Sequence, residues 1–181
     1  SIDDILPGAR ISNTDIFEAS SKTFFISVAG GSIGAEISRQ LLLANPKKII
    51  LYEFSEFNLY QIARECSALI NSKDLDTLII SILGDIRDIN HLNNVFKRFK
   101  VDHIYHAAAY KHVPLVEDEN NLAIAAENNI LGTYNLAQVA VNNNVESFVM
   151  ISTDKAVRPT NIMGATKRFA EIIIQSINAS S

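Results

Sequence analysis

The sequence has one cysteine, Cys66, among 181 residues, and no tryptophan. A single cysteine cannot close an intrachain disulfide, and no cysteine and histidine cluster has the spacing of a structural zinc site. The fold must therefore be held together by packing, which fits a reducing compartment such as the cytoplasm. We expect no metal site.

Long hydrophobic runs are also missing. Apolar stretches such as 78–83 and 148–151 are far shorter than the roughly 18 residues that a membrane helix needs, and no signal-like segment opens the chain. We therefore expect no membrane segment in this chain.

Basic residues are outnumbered by acidic ones, since 16 Lys and Arg against 20 Asp and Glu give a formal charge of -4. This balance argues against a nucleic-acid partner.

Apolar runs alternate with amphipathic intervals along the chain. The runs lack the polar alternation of half-exposed strands, which is typical of strands buried on both faces of a parallel sheet. The intervals have helical spacing, and each is long enough to cross over between parallel strands. The predicted strands are 23–28, 48–52, 78–83, 103–107 and 147–152. The predicted helical stripes are Ile33, Ile37 and Leu41, and then Leu59, Ile62, Ala63 and Ala68.

Five strand and helix repeats predict an α/β fold, a doubly wound parallel sheet of the Rossmann type, which binds ligands at the carboxyl ends of its strands. We expect an amino-terminal arm over 1–22 and one nucleotide-binding domain over 23–181. No strand follows the last helical stretch, 161–178, although this fold commonly continues to a sixth strand. The chain is therefore expected to be truncated and to lack a carboxyl-terminal substrate region.

A glycine-rich loop follows the first predicted strand. Glycine lets the backbone approach a diphosphate, and the start of the next helix offers N–H groups to it. The loop alone is equally consistent with a tight strand-to-helix turn. The candidate cofactor residues here are Gly30, Gly31, Ser32, Ile33 and Gly34.

Acidic residues follow the second and third strands. Glu53 lies 19 residues after Gly34, where its carboxylate can accept both ribose hydroxyls of an adenosine and repel a 2′-phosphate, so NAD is favoured over NADP. The alternative for Glu53 is a solvated loop acid. Asp85 and the adjoining Ile86 follow the third strand, within reach of an adenine ring. Asp88 is better explained as the N-cap of the next helix.

The end of the fourth strand carries small and then polar residues. Ala107, Ala108 and Ala109 leave room for a ribose and a diphosphate, and Lys111 and His112 are candidate substrate contacts near the same edge. In the strand itself, the histidines at 103 and 106 are expected on opposite faces, so a structural role is favoured over a metal pair.

The fifth strand leads into a cluster of reactive side chains. Thr153, Asp154 and Lys155 follow it directly, and Lys167 comes twelve residues after Lys155. A hydroxyl, a carboxylate and two ammonium groups at one sheet edge are unusual for a simple turn. Asn161 is a candidate substrate contact, although capping the helix after a proline is its default role.

Together these motifs resemble the bacterial polysaccharide-biosynthesis nucleotide-sugar 4,6-dehydratases, which belong to the extended short-chain dehydrogenase/reductases. The resemblance covers nearly the whole chain. Its most specific part is 152–168, and the other matching segments are 2–6, 30–34, 53–60, 84–88, 106–117 and 129–133.

The resemblance implies a UDP-N-acetylglucosamine 4,6-dehydratase that inverts C5 and recycles a tightly held NAD. In that mechanism Lys155 removes the C5 proton, Asp154 protonates the departing C6 hydroxyl, and Thr153 hydrogen-bonds the C4 oxygen. Lys167 binds the nicotinamide ribose, and Asn129 helps to organise the supporting helix. The resemblance also implies a homo-oligomer, and in a longer protein a place at the cytoplasmic side of the inner membrane.

Two positions depart from the superfamily pattern. Met163 stands where most short-chain dehydrogenases have the tyrosine four residues before the active-site lysine, and it cannot exchange a proton. Val28 replaces the first glycine of the glycine motif, and a β-branched residue resists positive φ and crowds a diphosphate. These departures and the missing carboxyl-terminal region keep a non-catalytic NAD-binding module as one alternative. A nucleotide-sugar epimerase or reductase of the same superfamily is the other alternative, although the Asp154 and Lys155 pair argues against it because simple hydride transfer at C4 needs no acid and base for elimination.

Overall fold

The computed structural model describes residues 19–107 and 131–151, and in them strands and helices alternate as predicted. Each strand matches its predicted run within two residues. The strands are β1 Thr23–Ser27, β2 Lys48–Glu53, β3 Leu78–Leu83, β4 His103–His106 and β5 Ser147–Met150. The helices are α1 Ser32–Leu42, α2 Glu56–Lys73, α3 Ile89–Phe99 and α4 Thr133–Asn142.

The strands form one parallel sheet in the order β3-β2-β1-β4-β5. The chain winds outward from β1 through β2 to β3 and then returns to the other side of β1 with β4. This reversal places a topological switch point between the carboxyl ends of β1 and β4, which is where doubly wound sheets bind ligands. The predicted fold class is confirmed.

Helices cover both faces of the sheet, so alternate strand residues enter two separate cores. In β1, Phe24 and Ile26 face the layer of α1 and α2, whereas Phe25 faces the layer of α3 and α4. Phe25 packs there against the ring of Phe96, with the ring centroids 4.9 Å apart. This two-sided burial explains why the strand sequences lack polar alternation.

Two details of the predicted burial are wrong. β3 is not buried on both faces, because within the described residues it pairs only with β2, and Leu78 and Leu83 at its ends are about half exposed. In α2, Ala68 is exposed, and Cys66 takes the predicted place in the buried stripe. Burial raises the pKa of the Cys66 thiol to about 11.

Within 19–107 and 131–151, no helix is both long and apolar enough to cross a membrane.

Candidate functional site

The glycine-rich loop is a tight turn from β1 into α1. Val28, directly after β1, has φ 50°, and its carbonyl oxygen accepts a hydrogen bond from Gly31 N at 3.1 Å. The same oxygen lies against Gly34 so closely that a Cβ there would overlap it. A Cβ at Gly30 would come within 2.5 Å of Asn58 Cβ. Glycine is therefore required at 30 and 34 by close backbone approach.

The start of α1 is suited to an anion. Its N-cap residue is Gly31, and no side chain caps the first turn. By contrast, α2 is capped by the Ser55 hydroxyl, and α3 is capped by Asp88, whose Oδ1 accepts from His91 N at 2.9 Å. The predicted capping role of Asp88 is thus confirmed. The N–H groups and positive dipole end of α1 fit the diphosphate of a dinucleotide.

Glu53 holds the glycine loop in place. Its side chain is buried, with a residue exposure of 1%. Oε2 accepts from Gly30 N at 3.0 Å, and Oε1 accepts from Ser55 N at 3.0 Å. The alternative of a solvated loop acid is therefore wrong, because the carboxylate is enclosed by backbone donors. These two bonds connect the carboxyl end of β2 to the loop after β1.

Asp85 lies in the loop after β3 and forms an ion pair with Arg87. The shortest contact joins Asp85 Oδ2 to Arg87 Nη2 at 2.6 Å, and Arg87 N also donates to Asp85 Oδ1 at 2.9 Å. The hydrogen bonds from the Arg87 side chain hold the pKa of the Asp85 carboxyl below its usual value. Tyr52 OH donates to Asp85 O at 3.0 Å, which fixes this loop to β2.

The first turn of α4 contacts the same loop from the other side, which the sequence did not predict. Asn135 is buried, and its Nδ2 donates to Arg87 O at 3.0 Å and to Ile86 O at 3.5 Å. Ile86 is also buried and packs against Gly132, where a Cβ would come within 2.5 Å of Ile86 Cδ1. In the sequence, the only local signal for this contact is an asparagine three residues after a glycine.

A second buried network joins β1, β4 and α4. The imidazole of His106 lies 2.7 Å from Ser27 Oγ through Nδ1 and 2.8 Å from Thr133 Oγ1 through Nε2. Ser27 Oγ also accepts from Ala107 N at 3.2 Å, which places Ala107 at the edge of the sheet as predicted. His103 lies on the opposite side and contacts Ser147 Oγ at 2.8 Å. The predicted structural role of both histidines is confirmed.

These contacts bring the described candidates to one edge of the sheet. Glu53 is the last residue of β2, and the glycine loop, the loop 84–88 and Ala107 follow the carboxyl ends of β1, β3 and β4. No group of three or more metal-binding side chains occurs within the described ranges. The remaining candidates lie outside the described residues: Ala108, Ala109, Lys111, His112, Asn129, Thr153, Asp154, Lys155, Asn161, Met163 and Lys167.

Residues 24–181 match the protein family described as "Polysaccharide biosynthesis protein". The chain belongs to this family. Among curated relatives, the capsular polysaccharide biosynthesis protein CapD of Staphylococcus aureus is 46% identical over 161 residues, 89% of this chain and 26% of that protein. The inverting UDP-N-acetylglucosamine 4,6-dehydratase of Campylobacter jejuni is 34% identical over 159 residues, 87% of this chain and 44% of that protein.

A solved structure has the same fold at lower identity. The UDP-glucose 4-epimerase of Bifidobacterium longum, in complex with NAD+ and UDP, matches with a TM-score of 0.72 at 19% identity. The match covers 88% of this chain and 50% of that one. This chain therefore spans half or less of each of these three proteins.

Proposed function

We propose that this chain is the NAD-binding part of a nucleotide-sugar 4,6-dehydratase that acts on UDP-N-acetylglucosamine, inverts C5 and serves surface polysaccharide or glycan biosynthesis. One observation carries the proposal. The glycine loop, Glu53 and the Asp85 loop meet at one edge of a doubly wound sheet, beside a helix start that no side chain caps. Family membership and the dehydratase relative support the same class of reaction.

The residues at this edge fit a dinucleotide. The start of α1 and the glycine loop would hold the diphosphate, while the Asp85 carboxylate and the backbone of Ile86, whose side chain is buried against Gly132, would lie beside the adenine. Each Glu53 oxygen accepts one N–H and retains a second lone pair for a ribose hydroxyl. Because Glu53 is only 1% exposed, the ribose reaches it only when the atoms above it move aside. A 2′-phosphate beside this carboxylate would be repelled, which favours NAD over NADP.

The proposed chemistry belongs to residues after β5. When bound, NAD would supply a reversible acceptor for hydride, which leaves the sugar C4 and returns to C6, so that the net change is the loss of one water. Lys155 removes the proton from C5, Asp154 protonates the departing C6 hydroxyl, and Thr153 hydrogen-bonds the C4 oxygen. Lys167 binds the nicotinamide ribose, and with Met163 in the usual tyrosine position the C4 hydroxyl proton must leave by another route.

The sugar nucleotide would be held by further side chains near the same edge. We assign Lys111, His112 and Asn161 to the substrate, and Ala108, Ala109 and Asn129 to the cofactor and its supporting helix.

A free lysine has a pKa of about 10.4, so Lys155 can act as a base near neutrality only beside positive charge or in a dry pocket. Lys167 and an oxidised nicotinamide would supply that charge.

The test uses a protein that contains this whole chain. Incubated with NAD and UDP-N-acetylglucosamine, it should yield a product lighter by one water, with C5 inverted by nuclear magnetic resonance. Lys155→Ala should abolish this product while NAD stays bound. Lys97→Ala, which removes an exposed lysine from α3, serves as the control and should retain full turnover. Undiminished dehydration by Lys155→Ala would refute the role of that lysine.

Two other functions give different results in the same assay. An epimerase, as in the matched structure, would yield a product of unchanged mass with C4 inverted. A non-catalytic module would bind NAD without turnover, and Met163 in the usual tyrosine position, which cannot exchange a proton, is the observation that favours it. We further propose that the whole protein is a homo-oligomer, which sedimentation measurements on it would test.

A further inference from the structure

Asn135 is a buried amide that ties α4 to the loop after β3. Its exposure is 6%, and its Nδ2 group reaches the carbonyl oxygens of Arg87 at 3.0 Å and Ile86 at 3.5 Å. The two partners are backbone atoms from a segment 48 and 49 residues earlier in the chain. A buried amide placed this way restrains a loop, because removing it would take away the donor that these two carbonyls share.

The same loop is fixed at three further points. Tyr52 OH donates to Asp85 O at 3.0 Å, so β2 holds one end. Asp88 N donates to Asp85 O at 3.0 Å, which closes the turn on itself. Ile86 is 4% exposed and packs against Gly132, just before Asn135. The loop is thus clamped between β2 and α4, and Asn135 supplies the polar part of the α4 contact.

We propose that Asn135 is a positioning residue for base recognition. By holding the carbonyls of Ile86 and Arg87, it keeps the Asp85 carboxylate where an exocyclic amino group of a bound purine can donate to it. Asn135 itself makes no contact with the base. This inference rests on the proposed dinucleotide function, and it adds a determinant of base specificity located on α4.

Base preference gives a direct measurement of this role. Nicotinamide hypoxanthine dinucleotide carries a carbonyl where NAD has the adenine amino group, so it offers Asp85 no exocyclic donor. We expect the full chain to bind NAD about tenfold more tightly than this analogue, as a hydrogen bond to a charged group allows. In Asn135→Ala the preference should fall below about threefold, because NAD loses affinity and the analogue does not. Titration calorimetry with both dinucleotides measures it.

A matched variant on the same helix controls for general destabilisation. Gln138 is exposed on α4, and Gln138→Ala should keep the tenfold preference. If circular dichroism shows that Asn135→Ala is unfolded, Asn135→Ser is measured instead, since its shorter hydroxyl cannot reach both carbonyls. A tenfold preference retained in the folded variant, or an equal loss of affinity for both dinucleotides, would overturn the inference.

Failure of the proposed function has a different signature. A wild-type chain that binds neither dinucleotide would overturn the dinucleotide function, and hydrogen exchange then decides whether Asn135 positions the loop. Asn135→Ala should speed exchange of the Arg87 and Asp88 amides about tenfold relative to Gln138→Ala, because both amides donate within the clamped turn. Exchange that is the same in the two variants would overturn the positioning role.

Discussion

Replacing Val28 by alanine and by glycine tests the backbone strain at the turn after β1. Val28 has φ 50°. This left-handed conformation costs a residue with a Cβ about 1–2 kcal/mol, whereas glycine adopts it without that cost. At ordinary φ, glycine is less stable than alanine by about 0.5–1 kcal/mol, because its unfolded chain is freer. At position 28 the strain of the left-handed conformation exceeds the entropic cost of glycine. Val28→Gly should therefore be up to about 1 kcal/mol more stable than Val28→Ala.

Comparing the two variants isolates the backbone. Both lose the γ-methyl groups of Val28, which packs at the edge of the core between the sheet and the layer of α3 and α4. Their difference therefore does not depend on that lost packing. Ser67, exposed in the middle of α2, provides the control pair. There Ser67→Gly should be less stable than Ser67→Ala by about 1 kcal/mol, the usual order in a helix.

Urea denaturation followed by circular dichroism gives the free energy of unfolding of each variant by linear extrapolation. The prediction is a reversal of sign between the two positions. If glycine is less stable than alanine at position 28, as it is at 67, Val28 carries no left-handed strain in solution. Position 28 of the loop would then have no physical preference for glycine.

Three further predictions concern the contacts at the sheet edge. Glu53→Gln places an amide nitrogen against a backbone N–H donor, so urea denaturation should show a loss of about 1.5–3 kcal/mol in the free energy of unfolding. A loss below about 0.5 kcal/mol would contradict the enclosure of this carboxylate by two N–H donors. Ser27→Ala leaves Nδ1 of the buried His106 without its hydroxyl partner and should cost about 1–3 kcal/mol, so unchanged stability would show that this network contributes nothing. Arg87→Ala should raise the pKa of the Asp85 carboxyl toward its ordinary value of about 3.9, measured by nuclear magnetic resonance titration. The pKa of Asp85 is lower in the folded protein than in the unfolded chain, so the ion pair stabilises the fold at pH values above the ordinary carboxyl pKa. This stabilisation is lost as the pH falls through the lowered pKa. The difference in free energy of unfolding between wild type and Arg87→Ala should therefore become smaller in acid.

Local pattern was sufficient to predict most of the fold. Apolar runs located all five strands, and the acid nineteen residues after Gly34 does lie at the end of β2, next to the glycine loop. The exposure of β3 could not be predicted, because an all-apolar run looks the same in a central strand and in an edge strand. Only the order of strands in the sheet, which is a long-range property, distinguishes them.

Side-chain contacts across long stretches of chain were not predictable either. His106 meets Thr133 from 27 residues away, and Asn135 meets Arg87 from 48 residues away. Neither separation corresponds to the repeat of a helix or a strand, so local pattern cannot indicate it. Each contact depends instead on how α4 packs beside β4 and the loop after β3. The enclosure of Glu53 by Gly30 N and Ser55 N was likewise outside local pattern, because it depends on the approach of two loops.

We propose that the edge formed by the glycine loop, Glu53 and Asp85 binds NAD. The most direct measurement is a crystal structure of a protein containing this chain, grown with NAD. We predict the diphosphate over residues 30–34 at the start of α1, the adenosine ribose hydroxyls within hydrogen-bonding distance of the Glu53 carboxylate, and the adenine beside Asp85. NAD bound with its adenosine away from Glu53, or saturating NAD with no density at this edge, would contradict the account.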